Sequence, residues 1–136
     1  MKTLAFDEIK SILTKTQNVD FKFNESDRQR ALTNPYLDTM RAQLQEMANS
    51  LRGTPIAEPT FASFKRFEMD GNRRDFESYY FEKRRRLTTF ALMTWLYGRD
   101  EDIAELENII WAILNEYTWV LPAHLTLPSF ANDKQL

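Results

Sequence analysis

Between Asn34 and Gly53 the apolar residues Tyr36, Leu37, Met40, Leu44, Met47, Ala48 and Leu51 recur at steps of one, three or four. That spacing places them on one face of an α-helix. Asn34 suits the N-cap, Pro35 the first helical position and Gly53 the position just past the end. A longer pattern runs from Arg73 to Gly98, "RRDFESYYFEKRRRLTTFALMTWLYG". Asn72 with Asp75 three residues on resembles a capping box that uses Asp in place of Glu. The second half of this helix, Leu87 to Tyr97, is apolar on nearly every side, which implies burial between neighbours.

Only Arg99 separates Gly98 from Asp100, which reads as the N-cap of the next helix. From there Ile103, Leu106, Ile109, Ile110, Ile113, Leu114 and Tyr117 form a stripe, while Trp111 and Ala112 lie off it and suggest a second packed face. Two long helices joined by so short a turn must be antiparallel neighbours. No segment shows sustained alternation of apolar and polar positions, so the expected class is all-α, built of helix hairpins.

The remaining segments read less sharply. Leu4, Ile9, Ile12 and Leu13, with Phe6 nearby, predict a short first helix, and "TQNVDFKFNES" a connector. A second helical piece starts from Ser26, with Asp27 favouring its positive end, and stops before Pro35. "GTPIAEPT" is a turn or an extended connector. Phe61, Phe64 and Phe67, three apart, fit either a helical turn or an aromatic strip along an extended segment. The chain is therefore expected to form one helical domain over 1–136, with 1–33 unplaced, helices over 34–125 and a tail over 126–136.

Composition narrows the function classes. The 136 residues are 43% hydrophobic, 13% aromatic and 28% charged, with a net charge of −2. Such a chain has enough apolar content to fold and no overall field to draw it to nucleic acid or anionic lipid, so neither partner is expected. Charges at Asp7, Glu8 and Lys10 interrupt the run a signal peptide needs. No window is apolar enough to span a bilayer. One histidine and no cysteine leave no ordinary zinc set, and isolated glycines build no phosphate loop. Neither metal nor cofactor is expected.

The candidates for chemistry are few. The run Lys83-Arg84-Arg85-Arg86 covers a full helical turn. It is either a solvated turn with a Glu82–Arg86 pair or a device pointing one or two guanidinium groups at carboxylates or sulfates. Asp100 to Glu116 holds six acids and no base, so the two helices can pair along their sides. A Ser–His–Asp set around His124, the only histidine, has no local support. Trp119 is either a plug at the end of the hairpin or a ring that stacks on a sugar. His124 is either an exposed or capping residue or a donor to a sugar hydroxyl or carboxylate.

Three stretches carry a resemblance: "NPYLDTMRAQLQEMANSL", "FKRFEMDGNRRDFESYYFEKRRRLTTFALMTWLYGRDE", and "LENIIWAILNEYTWVLPAHL" with its closing Trp119-Val120-Leu121-Pro122-Ala123-His124. Together they resemble the N-terminal helical region of the heparinase II/III-like polysaccharide lyases, over roughly 100 residues from Tyr36 onward. The resemblance implies part of an incomplete α/α toroid and β-elimination on acidic, uronic-acid polysaccharides. It implies that Trp119 and His124 form an edge of the substrate cleft and that Arg84 and Arg85 are structural members of a double-arginine helix. A toroid needs more helices than this chain supplies, so the resemblance also implies the first part of a longer protein, inactive alone. Tyr79, Tyr80 and Tyr117 are residue types that serve as bases, but their helical spacing reads first as core. The alternative is a freestanding helical interaction module. Self-association through exposed apolar helix faces is expected under both readings.

Overall fold

The computed structural model describes Ser11 and residues 24–124, and the chain divides between Thr33 and Asn34 into two units. The predicted helix near Leu4 to Leu13, apart from Ser11, and the 126–136 tail lie outside the described residues. All the regular structure among the described residues is helical, and none of these helices is long and apolar enough to cross a membrane.

In the first unit, α1 spans Glu25–Thr33. It begins one residue earlier than the sequence suggests because Asn24 caps it: the Asn24 side chain accepts from the Ser26 N–H at 3.0 Å, and its carbonyl from Asp27 and Arg28. Glu25 accepts from Arg28 and Gln29, and these bonds hold its carboxyl down at about 2.

The second unit opens on a 3₁₀ turn, Pro35–Leu37, where the Asn34 side chain accepts from the Tyr36 N–H at 3.0 Å. The turn feeds α2, Asp38–Leu51, which stops where Gly53 adopts a φ of 68°. Next comes α3, Phe61–Asp70, so the aromatic triplet lies on a helix. Its signal is Thr60-x-x-Ser63, a reciprocal capping box with both bonds at 3.1 Å. At its end, Gly71 takes the left-handed conformation.

Helix α4 spans Arg74–Tyr97. Only half of the expected capping box forms: Asn72 accepts from the Asp75 N–H at 3.3 Å, but the Asp75 carboxylate pairs with Arg66 instead of reaching back. The Asn72 N–H goes to Asp70 at 2.9 Å. Helix α5, Asp100–Leu114, follows after Gly98 and Arg99. Arg99, extended, precedes the helix and its carbonyl accepts from Asp102 and Ile103. Asp100 is therefore the first helical residue and not the N-cap, where its charge still suits the positive helix end.

The packing centre is α4. Ala48 and Leu51 of α2 meet Phe90 and Met93 of α4, with Leu44, Tyr97 and Leu106 on the margin. Helix α2 runs antiparallel to α4: Gln45 bonds Arg99 just beyond the end of α4, while Thr54 and Pro55 bond Arg86 in its middle. Helix α5 returns along α4 as a hairpin, contributing the buried Ile109. Arg52 and the Gly53 N–H tie the end of α2 to Asp102 (2.5 Å) and Glu105 (2.7 Å) at the start of α5. Much of the predicted apolar surface stays open. Tyr36 in the 3₁₀ turn, Met40 on α2, and Ile110, Trp111 and Leu114 on α5 are exposed, Trp111 by 72%. The second packed face suggested by Trp111 has no cover within the described chain.

Candidate functional site

The basic run on α4 sends its four side chains to four environments. Lys83 is wholly buried, with its Nζ 2.5 Å from Glu58 and 3.5 Å from Glu116. Arg84 grips both oxygens of Glu116 at 2.6 Å and lies flat over the Tyr80 ring, 3.6 Å from its centroid. Arg85 is exposed and borders a shallow depression with Met40, Leu44 and Met47 of α2. Arg86 is 3% exposed and donates to the carbonyls of Thr54 (3.0 Å), Pro55 (3.2 Å) and Leu51 (3.4 Å). It thus clamps the connector that follows α2 onto α4.

This run is not a solvated turn. The Glu82–Arg86 pair forms at 2.8 Å, yet Lys83 and Arg86 are both inside the fold. The inward-pointing alternative describes Arg84, whose carboxylate partner belongs to the chain itself.

Beside this ionic cluster lies a cavity of about 330 Å³ between α3, the first half of α4 and the segment after α5. Its wall is aromatic: Phe61, Phe64, Phe76, Tyr80 and Tyr117. Phe64 is the hub, edge-on to Phe76 at 5.3 Å and to Tyr117 at 6.4 Å, and stacked with Phe61 at 6.4 Å. Glu58, Thr60, Asn115, Glu116 and Thr118 supply its polar lining. Two of the rings are open to solvent, Phe61 by 68% and Tyr117 by 91%.

Trp119 and His124 stand beside this cavity and do not line it; the wall ends at Thr118. Trp119 is fixed at two points. Its indole Nε1–H donates to the Ile113 carbonyl at 2.9 Å, and its own carbonyl accepts from the Tyr80 hydroxyl at 3.1 Å. The first bond serves a carbonyl in the last turn of α5, so the ring acts as a cap and is still 58% exposed. His124 closes the 3₁₀ turn Pro122–His124 and is exposed; its N–H donates to the Leu121 carbonyl at 2.8 Å. Pro122 is buried, and the turn packs against α3. The structure therefore brings Trp119, His124, Tyr80 and Tyr117 to one end of the second unit. Tyr79 lies apart from the cavity, beside Arg66, Arg74 and Ser78.

The two cations Lys83 and Arg84 face the two carboxylates Glu58 and Glu116, and the charges cancel. No group of three ligating side chains suited to a metal occurs among the described residues. Comparisons with protein-family models, curated proteins and solved structures find no match to this chain.

The sequence pattern gives no sign of Glu58 or Phe76 at this site, nor that Lys83, of the four basic residues, is the one wholly buried. Glu58 sits in a connector with no periodicity, and Lys83 reaches it only because α3 folds back across the start of α4. The acidic bias of residues 100–116 was the one usable signal, and Glu116 is the acid that meets the basic run.

Proposed function

We propose that this chain forms the opening helix hairpins of a heparinase II/III-like lyase, with Trp119 and His124 at the edge of a cleft for uronic-acid polysaccharides. The ordered sequence elements ending in Trp119–His124 supply the family reading. The observation that carries the site reading is the rigid presentation of Trp119: its edge and its carbonyl are both bonded into the fold, while most of its ring faces outward. A ring held that way stacks on a sugar at little cost in conformational entropy.

The reaction is β-elimination. A base removes the C5 proton of the uronate, the electrons form the C4–C5 double bond, and the C4–O bond breaks as an acid protonates the leaving oxygen. The uronate carboxylate must be neutralised for that proton to become acidic. Arg84 and Lys83 are committed to Glu116 and Glu58, and the Tyr80 hydroxyl to Trp119. On this proposal the base, acid and neutralising cation come from elsewhere in the active protein, and the 136-residue chain alone is inactive.

The test is to capture the native protein with an antibody against this chain and assay it on heparin, heparan sulfate and alginate for unsaturated uronate. Release of that product, lowered by Trp119→Ala and His124→Ala in the same protein, supports the proposal. A native protein that releases none from any of the three refutes it. A second reading, a helical interaction module, is favoured by the exposed Ile110, Trp111 and Leu114 on α5. It predicts partner binding that survives changes at Trp119 and His124 and is lost on Trp111→Arg.

A further inference from the structure

The aromatic cavity offers a chemistry that differs from the one expected at Trp119 and His124. We propose that it is a subsite for an uncharged pyranose, a hexose or an N-acetylhexosamine, and that it does not accept a uronate. This goes beyond the lyase reading, since it rests on the cavity's walls and charge balance alone.

At about 330 Å³, the cavity is at the small end of ligand-binding sites, which run to about 1,000 Å³. Phe61, Phe64 and Tyr117 give it ring faces set nearly at right angles: Phe64 is stacked with Phe61 at 16° and edge-on to Tyr117 at 79°. The C–H faces of a pyranose pack against such rings. Around them stand groups suited to hydroxyls. Glu58 gives one oxygen to Lys83 and remains 60% exposed. Asn115 gives one of its two side-chain N–H groups to the Trp111 carbonyl at 2.7 Å and keeps the other N–H and its oxygen for a ligand. The Thr60 hydroxyl accepts from Ser63 and keeps a proton to donate.

Charge decides between ligand classes. A uronate would enter beside two carboxylates. Of the cations nearby, Lys83 is wholly buried and Arg84 already grips both oxygens of Glu116. A further cation, Lys65, holds its Nζ 5.7 Å from the Phe61 centroid but is exposed and screened by water, so a uronate would give up hydration without a strong counter-charge. A quaternary ammonium would suit the rings, but both carboxylates are already paired with Lys83 and Arg84, so it too would give up hydration without an unpaired counter-charge. A neutral polyhydroxylated ring meets neither penalty.

The test titrates the 136-residue chain with chitotriose, maltotriose, trigalacturonate and tetramethylammonium, following the Phe64 and Tyr117 ring signals by NMR. Saturable shifts with chitotriose or maltotriose are expected, weakened about tenfold by Tyr117→Ala, or ~1.4 kcal/mol, and nearly unchanged in Tyr117→Phe. Tyr117 is almost fully exposed, so neither change threatens the fold. Trigalacturonate or tetramethylammonium shifting the same rings at equal or lower concentration would overturn the proposal, as would silence from both neutral sugars. The lyase assay reads product from the native protein, so each idea can fail while the other stands.

Discussion

The two halves of α4 are built on different physics. Toward its C-terminus, Phe90, Met93 and Leu96 are buried with Ala48, Leu51 and Ile109, and stability there comes mainly from apolar area removed from water, with the buried Asp102 paired to Arg52 as the polar exception. From its N-terminus to its middle, the same helix buries Lys83 and Arg86 and meets its neighbours through ion pairs, carbonyl clamps and offset rings. The dry half holds the hairpins together. The polar half leaves a cavity and exposed rings beside Trp119 and His124. One helix thus separates scaffold from site along its length.

The largest expected effect is in the dry half. Phe90→Ala removes a wholly buried ring and should cost about 3–5 kcal/mol in urea unfolding. A cost under about 1 kcal/mol would break the contrast, because it would mean the core sits elsewhere. Next is Glu116→Gln, which leaves Lys83 and Arg84 with only Glu58 between them. It should cost about 3 kcal/mol, and a stability equal to the parent would mean that the polar half is not load-sharing at all.

A smaller pair of changes sharpens the picture within the basic run. Arg84→Ala loses a bidentate pair and a ring contact and should cost about 1–2 kcal/mol. Arg85→Ala, on an exposed side chain, should fall within about 0.5 kcal/mol of the parent. Equal costs for the two would refute the assignment of one inward and one outward arginine.

The smallest effect concerns acid. The Arg66 guanidinium, followed by the Asn72 N–H, holds the Asp70 carboxyl below its usual value. A lowered folded-state pKa contributes stability above the ordinary carboxylate range of about 3.9 and loses it as pH falls through the lowered value. The protection factors of the Gly71 and Asn72 amides, which divide out the intrinsic pH dependence of exchange, should therefore be steady from neutral pH down to that range and fall only below it. A fall in protection near neutral pH would contradict the assignment.

The dry half was legible in the sequence because a buried helix face writes itself as periodicity. Leu87 to Tyr97 reads as apolar nearly all round, although Thr88, Ala91 and Leu92 stay exposed, and Gly98 marks the turn that sets the hairpin. Caps were legible to within a residue, with Asn24 and Arg99 displacing the roles given to Ser26 and Asp100. The polar half was not. Whether Lys83 is buried depends on where Glu58 and Glu116 arrive, and nothing in a run of four basic residues says which one points inward. The site shows the same limit: Trp119 and His124 stood out by residue type, while the cavity next to them is assembled from segments far apart in the chain.

The most direct test of this division is a map of amide shifts along the labelled chain during titration with a heparan-type tetrasaccharide, which carries both uronate and hexosamine units. Shifts confined to residues 58–64, 76–84 and 115–124 are predicted, with the Phe90 to Tyr97 segment unmoved. Shifts centred on Leu92, Trp111 and Leu114, or none anywhere, would contradict the placing of the site at the polar end of α4.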